Sequence, residues 1–353
     1  MMFPYVYLIG LIELTRFLKP NTKFKRLFVS IFCGILISLI IGLRHPSMGN
    51  DLRWYDSYGY LGGFQRIGTL PWGITSYQNY EIGYIFFNKV LSCFTRDNQI
   101  FLIVCAVCSI APFTYVIYRY STDIQTSYII LFGTPVFTMM FSGLRQSLAI
   151  GIVILSLPFI KEKKIIPFIL TIFIATLFHD TAIIFSLAYP LYNYGKLLDK
   201  KTLIFLITIV FALRKPLLSS VGSLISHKNT IDNNGSINMF IACFALLVFF
   251  LLATKDNDVE INGLMKIYYI SCICMVFSGI NSLAMRAAFY FIVILIVLVP
   301  CLYDESKSDS IIIKIEPRNG FIVIINIVFI ALGLFFVFTT DWAHAYPYRF
   351  YWE

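Results

Sequence analysis

The sequence predicts an all-α polytopic integral membrane protein with about 12 transmembrane helices plus a short re-entrant segment. Two observations carry that expectation. Of 353 residues, 58% are hydrophobic and 13% charged, against roughly half and about a quarter in a soluble globular domain. Runs such as Leu27 to Leu43, Ile237 to Ala253 and Phe321 to Phe338 are also long and nearly free of charge. A helical crossing needs about 20 mostly apolar residues.

Segment 3–18 comes first. Its apolar run is broken by Glu13 and Arg16, and it has neither a basic leader nor a small-residue cleavage site, so it reads as a retained helix. Segment 27–43 follows, then the main extracytoplasmic loop, 44–82. Stretch 83–94 is about half the length of a crossing and is expected to dip into the membrane and return. Segments 98–118, 126–141 and 144–160 are largely apolar, with Arg145 near the start of the third. The next two, 165–178 and 180–193, each reach only about 21 Å as helix. They read as a partial hairpin with His179 and Asp180 at its tip, tolerable only where protein or a wet cavity surrounds it. Segments 202–218, 237–253, 264–282, 286–302 and 321–338 complete a single membrane domain, 1–353. No internal repeat is evident, which counts against inverted-repeat transporter folds.

Lysine placement sets the sidedness. Lys19, Lys23 and Lys25, then Lys161, Lys163 and Lys164, then Lys196, Lys200 and Lys201, then Lys255 and Lys266, then Lys307 and Lys314 fall in alternate loops. All face the cytoplasm if 83–94 returns to its own side. That puts 13 of the 16 lysines inside. Eight of the 12 arginines, Arg44, Arg53, Arg66, Arg96, Arg145, Arg214, Arg286 and Arg349, then lie at or near the outer face, where topology alone does not favour cations. The formal charge of +9 is spread over short loops and implies no nucleic-acid partner. Cys105-x-x-Cys108 and Cys272-x-Cys274 lie in apolar runs without a second pair or histidine; small buried hydrophobes describe them better than metal ligands.

Four of the outer arginines end apolar helices: Arg44, Arg145, Arg214 and Arg286. An ionised side chain at that depth costs several kcal/mol (about 2.5–3.5 at a helix centre by insertion scales) unless paired or hydrated. Guanidinium binds phosphate bidentately and stays charged at any physiological pH, so three or four around one cavity suit a pyrophosphate. Snorkelling, or pairing with Asp51, Asp56 or Glu81, is the plainer reading, and it is preferred for Arg66 and Arg96. Loop 44–82 carries Trp54, Tyr55, Tyr58, Tyr60, Trp72, Tyr77 and Tyr80 with few acids. That composition fits sugar binding and an interfacial aromatic belt equally. His179 is a candidate proton acceptor or a plain interfacial histidine. No P-loop, His-Glu-x-x-His or Gly-x-Ser-x-Gly pattern occurs, so no cofactor or metal is expected. An enzyme built this way needs an activated donor already resident in the membrane, and a lipid diphosphate sugar is one whose leaving group arginines can stabilise.

Six patterns occur in order along the chain: Gly42-Leu-Arg44-x4-Gly49-Asn-Asp51-x3-Tyr55; Glu81-x-Gly83-Tyr84; Ser142-Gly-Leu-Arg145-Gln146-x2-Ala149; Phe178-His179-Asp-Thr-Ala182; Arg286-x3-Tyr290-Phe291 with Pro300; and Tyr346-Pro347-Tyr348. Together they resemble the EpsG-like branch of the Wzy-type polysaccharide polymerases, with Met48 and Leu52 departing from the usual first pattern. The resemblance implies a fold like the membrane C-type glycosyltransferases. It also implies metal-independent transfer of a growing glycan from undecaprenyl diphosphate onto the next lipid-linked repeat, at the periplasmic side of the inner (plasma) membrane. A flippase and a chain-length regulator would be its companions. On that basis Arg145 and Arg286 bind the donor diphosphate, Arg44 positions phosphate or acceptor, and His179 is the general base. Asp51, Tyr55, Glu81, Gln146, Arg214 and Tyr290 contact substrate or orient the others, with Asp51 and Glu81 as alternative bases. An O-antigen ligase, or a flippase or transporter of lipid-linked repeats, are the rival expectations.

Overall fold

A computed structural model describes residues 2–52, 59–194, 200–214, 216, 234–253, 258–278, 281–302, 318–340 and 343–353. The described chain is helical: α1 (Phe3–Leu14), α2 (Lys23–Gly42), α3 (Tyr60–Thr69), α4 (Ile82–Ser92), α5 (Asn98–Tyr120), α6 (Ile124–Gly133), α7 (Pro135–Met139), α8 (Leu144–Ile154), α9 (Leu157–Lys161), α10 (Ile165–Thr176), a 3₁₀ helix (Asp180–Leu187), α11 (Ala188–Asn193), α12 (Lys200–Ala212), α13 (Asn234–Ala253), α14 (Val259–Val276), α15 (Ser282–Ile292), α16 (Leu295–Cys301) and α17 (Arg318–Thr339). No strand occurs among the described residues.

Local chemistry starts and stops these helices. Thr22, Asp97, Asp123, Asp258 and Asn281 accept from amides of the first turns of α2, α5, α6, α14 and α15, satisfying donors that helices leave open. Pro135 separates α6 from α7, because a proline ring cannot continue the preceding helix. The first turn of α3 begins beside Gly59, and its far end is capped from another helix. Lys89 of α4 donates to the carbonyls of Ile67 (3.4 Å), Gly68 (3.1 Å) and Leu70. Arg96 adds bonds to Gln65 (3.2 Å) and Gly68 (2.7 Å). Cations at a helix C-terminus complement its dipole, and these two pin α3 and α4 into one unit.

The expectation of about twelve crossings is met only in part. Five described helices are long and apolar enough to cross a bilayer: α2, α5, the α8–α9 run, α14 and α17. The pair α15–α16, bent by 44°, makes a sixth if taken as one span. Segments 124–133, 165–176, 202–212 and 238–251 are shorter apolar helices. The segment expected as helix over 180–193 is instead a 3₁₀ turn running into the short α11. Its start is held off the α-helical path by bonds to other elements described below.

Helices that are apolar all round lie in the centre: nearly every residue of α6–α9 and of 287–302 is buried. Around them, α1, α2, α10 and α17 turn large apolar side chains outward, among them Tyr7, Ile35, Ile166, Phe173 and Ile327. That outward face is what a hydrocarbon solvent requires. At the end bearing Arg16, a polar junction joins three helices. Arg16 pairs with Glu13 (2.5 Å) and Asp123 (2.9 Å), and Asn326 donates to Glu13 (2.9 Å). A charge so placed is tolerated because it is paired.

At the other end of α1 and α2 the chain's last described segment closes over the helix ends. Tyr348 donates to the Ile40 carbonyl (2.9 Å) and Tyr5 to that of Ala345. The His45 amide bonds Arg349 (2.9 Å), the Tyr351 amide bonds Leu43 (3.0 Å), and Arg44 and Phe350 form an antiparallel bridge. The motif Tyr346-Pro347-Tyr348 is thus a clasp on α1 and α2. Tyr348→Phe is expected to cost about 1 kcal/mol, the worth of one hydrogen bond. Tyr348→Ala, which empties a buried aromatic site, is expected to cost about 3–5 kcal/mol; unfolding in detergent micelles measures both.

Candidate functional site

Four helix N-termini meet at one place: α4 after Glu81, α8 after Gly143, the 3₁₀ helix after His179 and α15 after Asn281. Helix N-termini carry partial positive charge, although several first-turn amides here already have acceptors: Gly83 and Tyr84, Asp180 and Leu283 are all bonded. The chain brings them together by one close backbone approach. The amides of Gly83 and Tyr84 both bond the Leu177 carbonyl, at 2.8 and 3.2 Å. A Cβ on Gly83 would sit 2.6 Å from that oxygen, so only glycine lets α4 touch the end of α10. This explains the glycine of Glu81-x-Gly83-Tyr84 physically.

The contact sets Glu81 beside His179 and Arg145. His179 Nδ1 lies 2.9 Å from Glu81 Oε1, and the Asp180 amide donates to the same oxygen at 3.2 Å. Arg145 Nη1 lies 2.6 Å from Glu81 Oε2 and also donates to the Asn79 carbonyl at 2.5 Å. Its Nε donates to the Tyr60 hydroxyl at 3.2 Å, and its guanidinium sits over the rings of Tyr60 and Tyr80, 5.7 and 5.1 Å from their centroids. Burial raises the Glu81 carboxyl. The hydrogen bond with His179 and the Arg145 charge more than offset that and hold it below its ordinary 4.5, so it is a carboxylate at neutral pH. Burial pushes the Tyr60 and Tyr80 phenols up, leaving both neutral. A carboxylate facing Nδ1 favours the arrangement in which that nitrogen donates to Glu81 and Nε2 is turned away from it. Nε2 is shut from solvent and has no partner among the described residues.

Arg286 enters from α15. Gln146, the neighbour of Arg145, donates to the Arg286 carbonyl at 2.7 Å, which fixes the two arginine-bearing turns side by side. Among the described residues the Arg286 guanidinium has no hydrogen bond or ion pair; its charge acts on Tyr60 and Tyr290. Thr181 and Tyr290 share a hydroxyl–hydroxyl contact at 3.3 Å, which ties the His179 turn to α15. Asp51 is exposed, and its amide bonds the Ser142 hydroxyl at 3.1 Å.

Seven of the expected residues, Asp51, Glu81, Arg145, Gln146, His179, Arg286 and Tyr290, are thus at or beside one junction. Arg44 is adjacent but enclosed, 0% exposed. It donates to the carbonyls of Ile41 and Phe141 (3.1 Å for the latter) and lies over the Phe141 ring at 5.4 Å. Burial pushes it down to about 10, so it stays cationic at neutral pH. In this conformation it braces the end of α2 against the turn that leads to α8. Gly49, at φ +101°, is part of the same brace, since a Cβ there would meet the Phe141 oxygen at 2.0 Å. Arg214 stands apart: its guanidinium bonds the Phe211 carbonyl (2.8 Å) and stacks on that ring, and no described contact joins it to the junction. Tyr55 lies outside the described residues. Three participants had not been singled out. Tyr60 and Tyr80 were read only as loop aromatics, although Tyr80 directly precedes the Glu81 motif. The Asn79 carbonyl leaves no sequence signal at all.

Lipid-facing helices around an enclosed polar junction of arginines, a carboxylate and a histidine define a polytopic membrane protein with an anion-receptive site. A family model described as the EpsG family matches residues 26–350, and the chain belongs to that family. Comparisons with curated proteins and with solved structures give no match.

Two outcomes follow. Gly83→Ala is expected to part α4 from Leu177 and abolish activity while leaving the α2–α5 core helical, as read by activity and circular dichroism. The Glu81 carboxyl lies lower folded than unfolded, so its contribution to stability is full above pH 4.5. That contribution is lost as pH falls further, through the folded value. Thermal unfolding of the wild type is expected to fall off in that acid range, and Glu81→Gln is expected to flatten the fall.

Proposed function

We propose that this EpsG-family protein is a polysaccharide polymerase. In this reading it transfers a growing glycan from undecaprenyl diphosphate onto a new lipid-linked repeat, in O-antigen or exopolysaccharide biosynthesis. The observation that carries the reading is the pair of adjacent arginine turns at convergent helix N-termini, next to a histidine oriented by a carboxylate. A diphosphate leaving group needs the former and an acceptor hydroxyl needs the latter.

The bond between the donor sugar's anomeric carbon and the diphosphate oxygen breaks, and its electron pair leaves with undecaprenyl diphosphate. The acceptor hydroxyl oxygen forms the new glycosidic bond and its proton passes to Nε2 of His179. Arg145 and Arg286 hold the charge that develops on the diphosphate, aided by the helix dipoles, with no metal called upon. Tyr60, Tyr80, Tyr290 and Asp51 line the approach of the sugar. Arg44 holds the turn that presents Arg145, and Tyr55 and Arg214 contact parts of the substrate farther out. The fold belongs in this reading with the membrane C-type glycosyltransferases, with about twelve crossings. By the positive-inside rule the junction faces the extracytoplasmic side of the inner (plasma) membrane, where a flippase delivers repeats and a chain-length regulator acts. An O-antigen ligase or a flippase gains no support from the geometry: no feature of the junction favours a lipid A core acceptor, and the Arg16 junction at the opposite end is closed on itself by Glu13 and Asp123.

The test is the surface polysaccharide banding of a deletion strain complemented with variants. Wild type is expected to restore the ladder. Arg145→Ala is expected to lower polymer yield about 100-fold or more, as for loss of one transition-state donor, and His179→Ala by a similar factor, as for loss of a general base. Normal ladders from expressed variants would remove those roles, and loss of all surface repeats with accumulation of lipid-linked polymer would replace polymerase with ligase.

A further inference from the structure

Glu81 serves two groups whose needs conflict. Oε1 holds His179 at 2.9 Å, while Oε2 holds Arg145 at 2.6 Å. The arginine assigned to the donor diphosphate is therefore already neutralised by a carboxylate, mostly buried, with 16% and 9% of the two side chains exposed. A diphosphate brings more charge and more acceptor oxygens than one carboxylate, and guanidinium takes such oxygens in pairs. Donor binding thus competes with Glu81 for Arg145. It cannot detach Glu81 from His179, because the other carboxylate oxygen is held there by both the imidazole and the Asp180 amide.

We propose that Glu81 is a positioning residue that makes His179 wait for the donor: diphosphate on Arg145 releases one Glu81 oxygen, and the freed carboxylate charge then acts undivided on the imidazole. A carboxylate at Nδ1 stabilises the imidazolium that forms when Nε2 takes a proton. While Arg145 shares that carboxylate, the stabilisation is reduced. Without donor, the acceptor hydroxyl meets a weak base, and Nε2 is closed to water. With donor, both halves of the reaction are ready together. The inference rests on the glycan-transfer reading of the same site. It goes further in giving that site an order of events and in giving Glu81 a role other than proton transfer.

The purified full chain in micelles tests this with two readouts, undecaprenyl diphosphate affinity and turnover of lipid-linked repeats. Glu81→Gln frees Arg145 from its anion and removes the charge behind His179. Donor affinity is expected to rise about fivefold or more, a typical coupling between linked sites, while turnover falls about 100-fold or more. Arg145→Ala is expected to lose affinity instead. Glu81→Asp keeps the charge on a shorter arm, so it is expected to regain at least about tenfold of the lost turnover with donor affinity no weaker than wild type. A purely structural Glu81 would weaken affinity and turnover together, and that result, in either Glu81 variant, overturns the proposal. Turnover of Glu81→Gln equal to wild type overturns it as well. Failure of the wild type to bind the diphosphate or to transfer glycan overturns the underlying polymerase reading instead.

Discussion

A carboxylate shared between a guanidinium and an imidazole is the constraint on which this end of the molecule depends. Glu81 sits at the N-terminus of α4, His179 at that of the 3₁₀ helix and Arg145 in the first turn of α8. Each helix end alone leaves amides open and would need water, which a bilayer interior does not supply. At this junction Glu81 takes the Asp180 amide of the 3₁₀ helix and the Arg145 side chain of α8, and the Leu177 carbonyl takes the first amides of α4. Breaks in the membrane helices are therefore stable only because they occur together. The short α4 and α10 and the 3₁₀ turn are consequences of that meeting point.

The same logic separates the arginines. Arg145 has a carboxylate partner, Arg16 has two, and Arg44 has only carbonyls and an aromatic face. Arg44 is tolerated because its neighbours are fixed acceptors, and its burial makes it a brace. Arg286 is half-buried and unpaired among the described residues, and it lies next to a paired arginine through Gln146. Asp51 and Asp180 lie nearby, so the junction holds no surplus of positive charge; what Arg286 offers an incoming phosphate ester is a guanidinium with no partner among the described residues.

Much of this was legible in the sequence because its signals are local. Charge-free runs mark membrane helices, and arginine at the end of such a run marks an expensive placement that needs a reason. Arg145 and Arg286 are found that way, His179 by its place at the tip of the short hairpin and Glu81 by the resemblance of its motif, and the structure brings all four to one junction. What could not be read was pairing across the fold. Nothing near Arg44 in sequence reveals that the Phe141 carbonyl and a distant tail enclose it. Arg214 follows the same pattern as Arg145, yet its nearest partner is its own helix. Residues 180–187 are apolar enough for an α-helix, and only the bonds of His179, Asp180 and Thr181 to other elements explain the 3₁₀ turn. Helix count is harder to read for a related reason, since hydropathy counts apolar stretches and does not see where the runs beginning with α6, α8 and α15 break or bend.

The clasp over the ends of α1 and α2 orders the protein's assembly in time. Tyr5 and Ala345 are 340 residues apart and Ile40 and Tyr348 are 308 apart, so the ends of α1 and α2 are closed only once the segment around Ala345 and Tyr348 has been made. Every intervening segment must be inserted first, and Arg44 is sealed from water only at that last step. A nascent chain stalled in mid-synthesis therefore keeps a cation and open carbonyls displayed at one known place, a chemical difference by which a membrane protease could tell an unfinished molecule from a finished one.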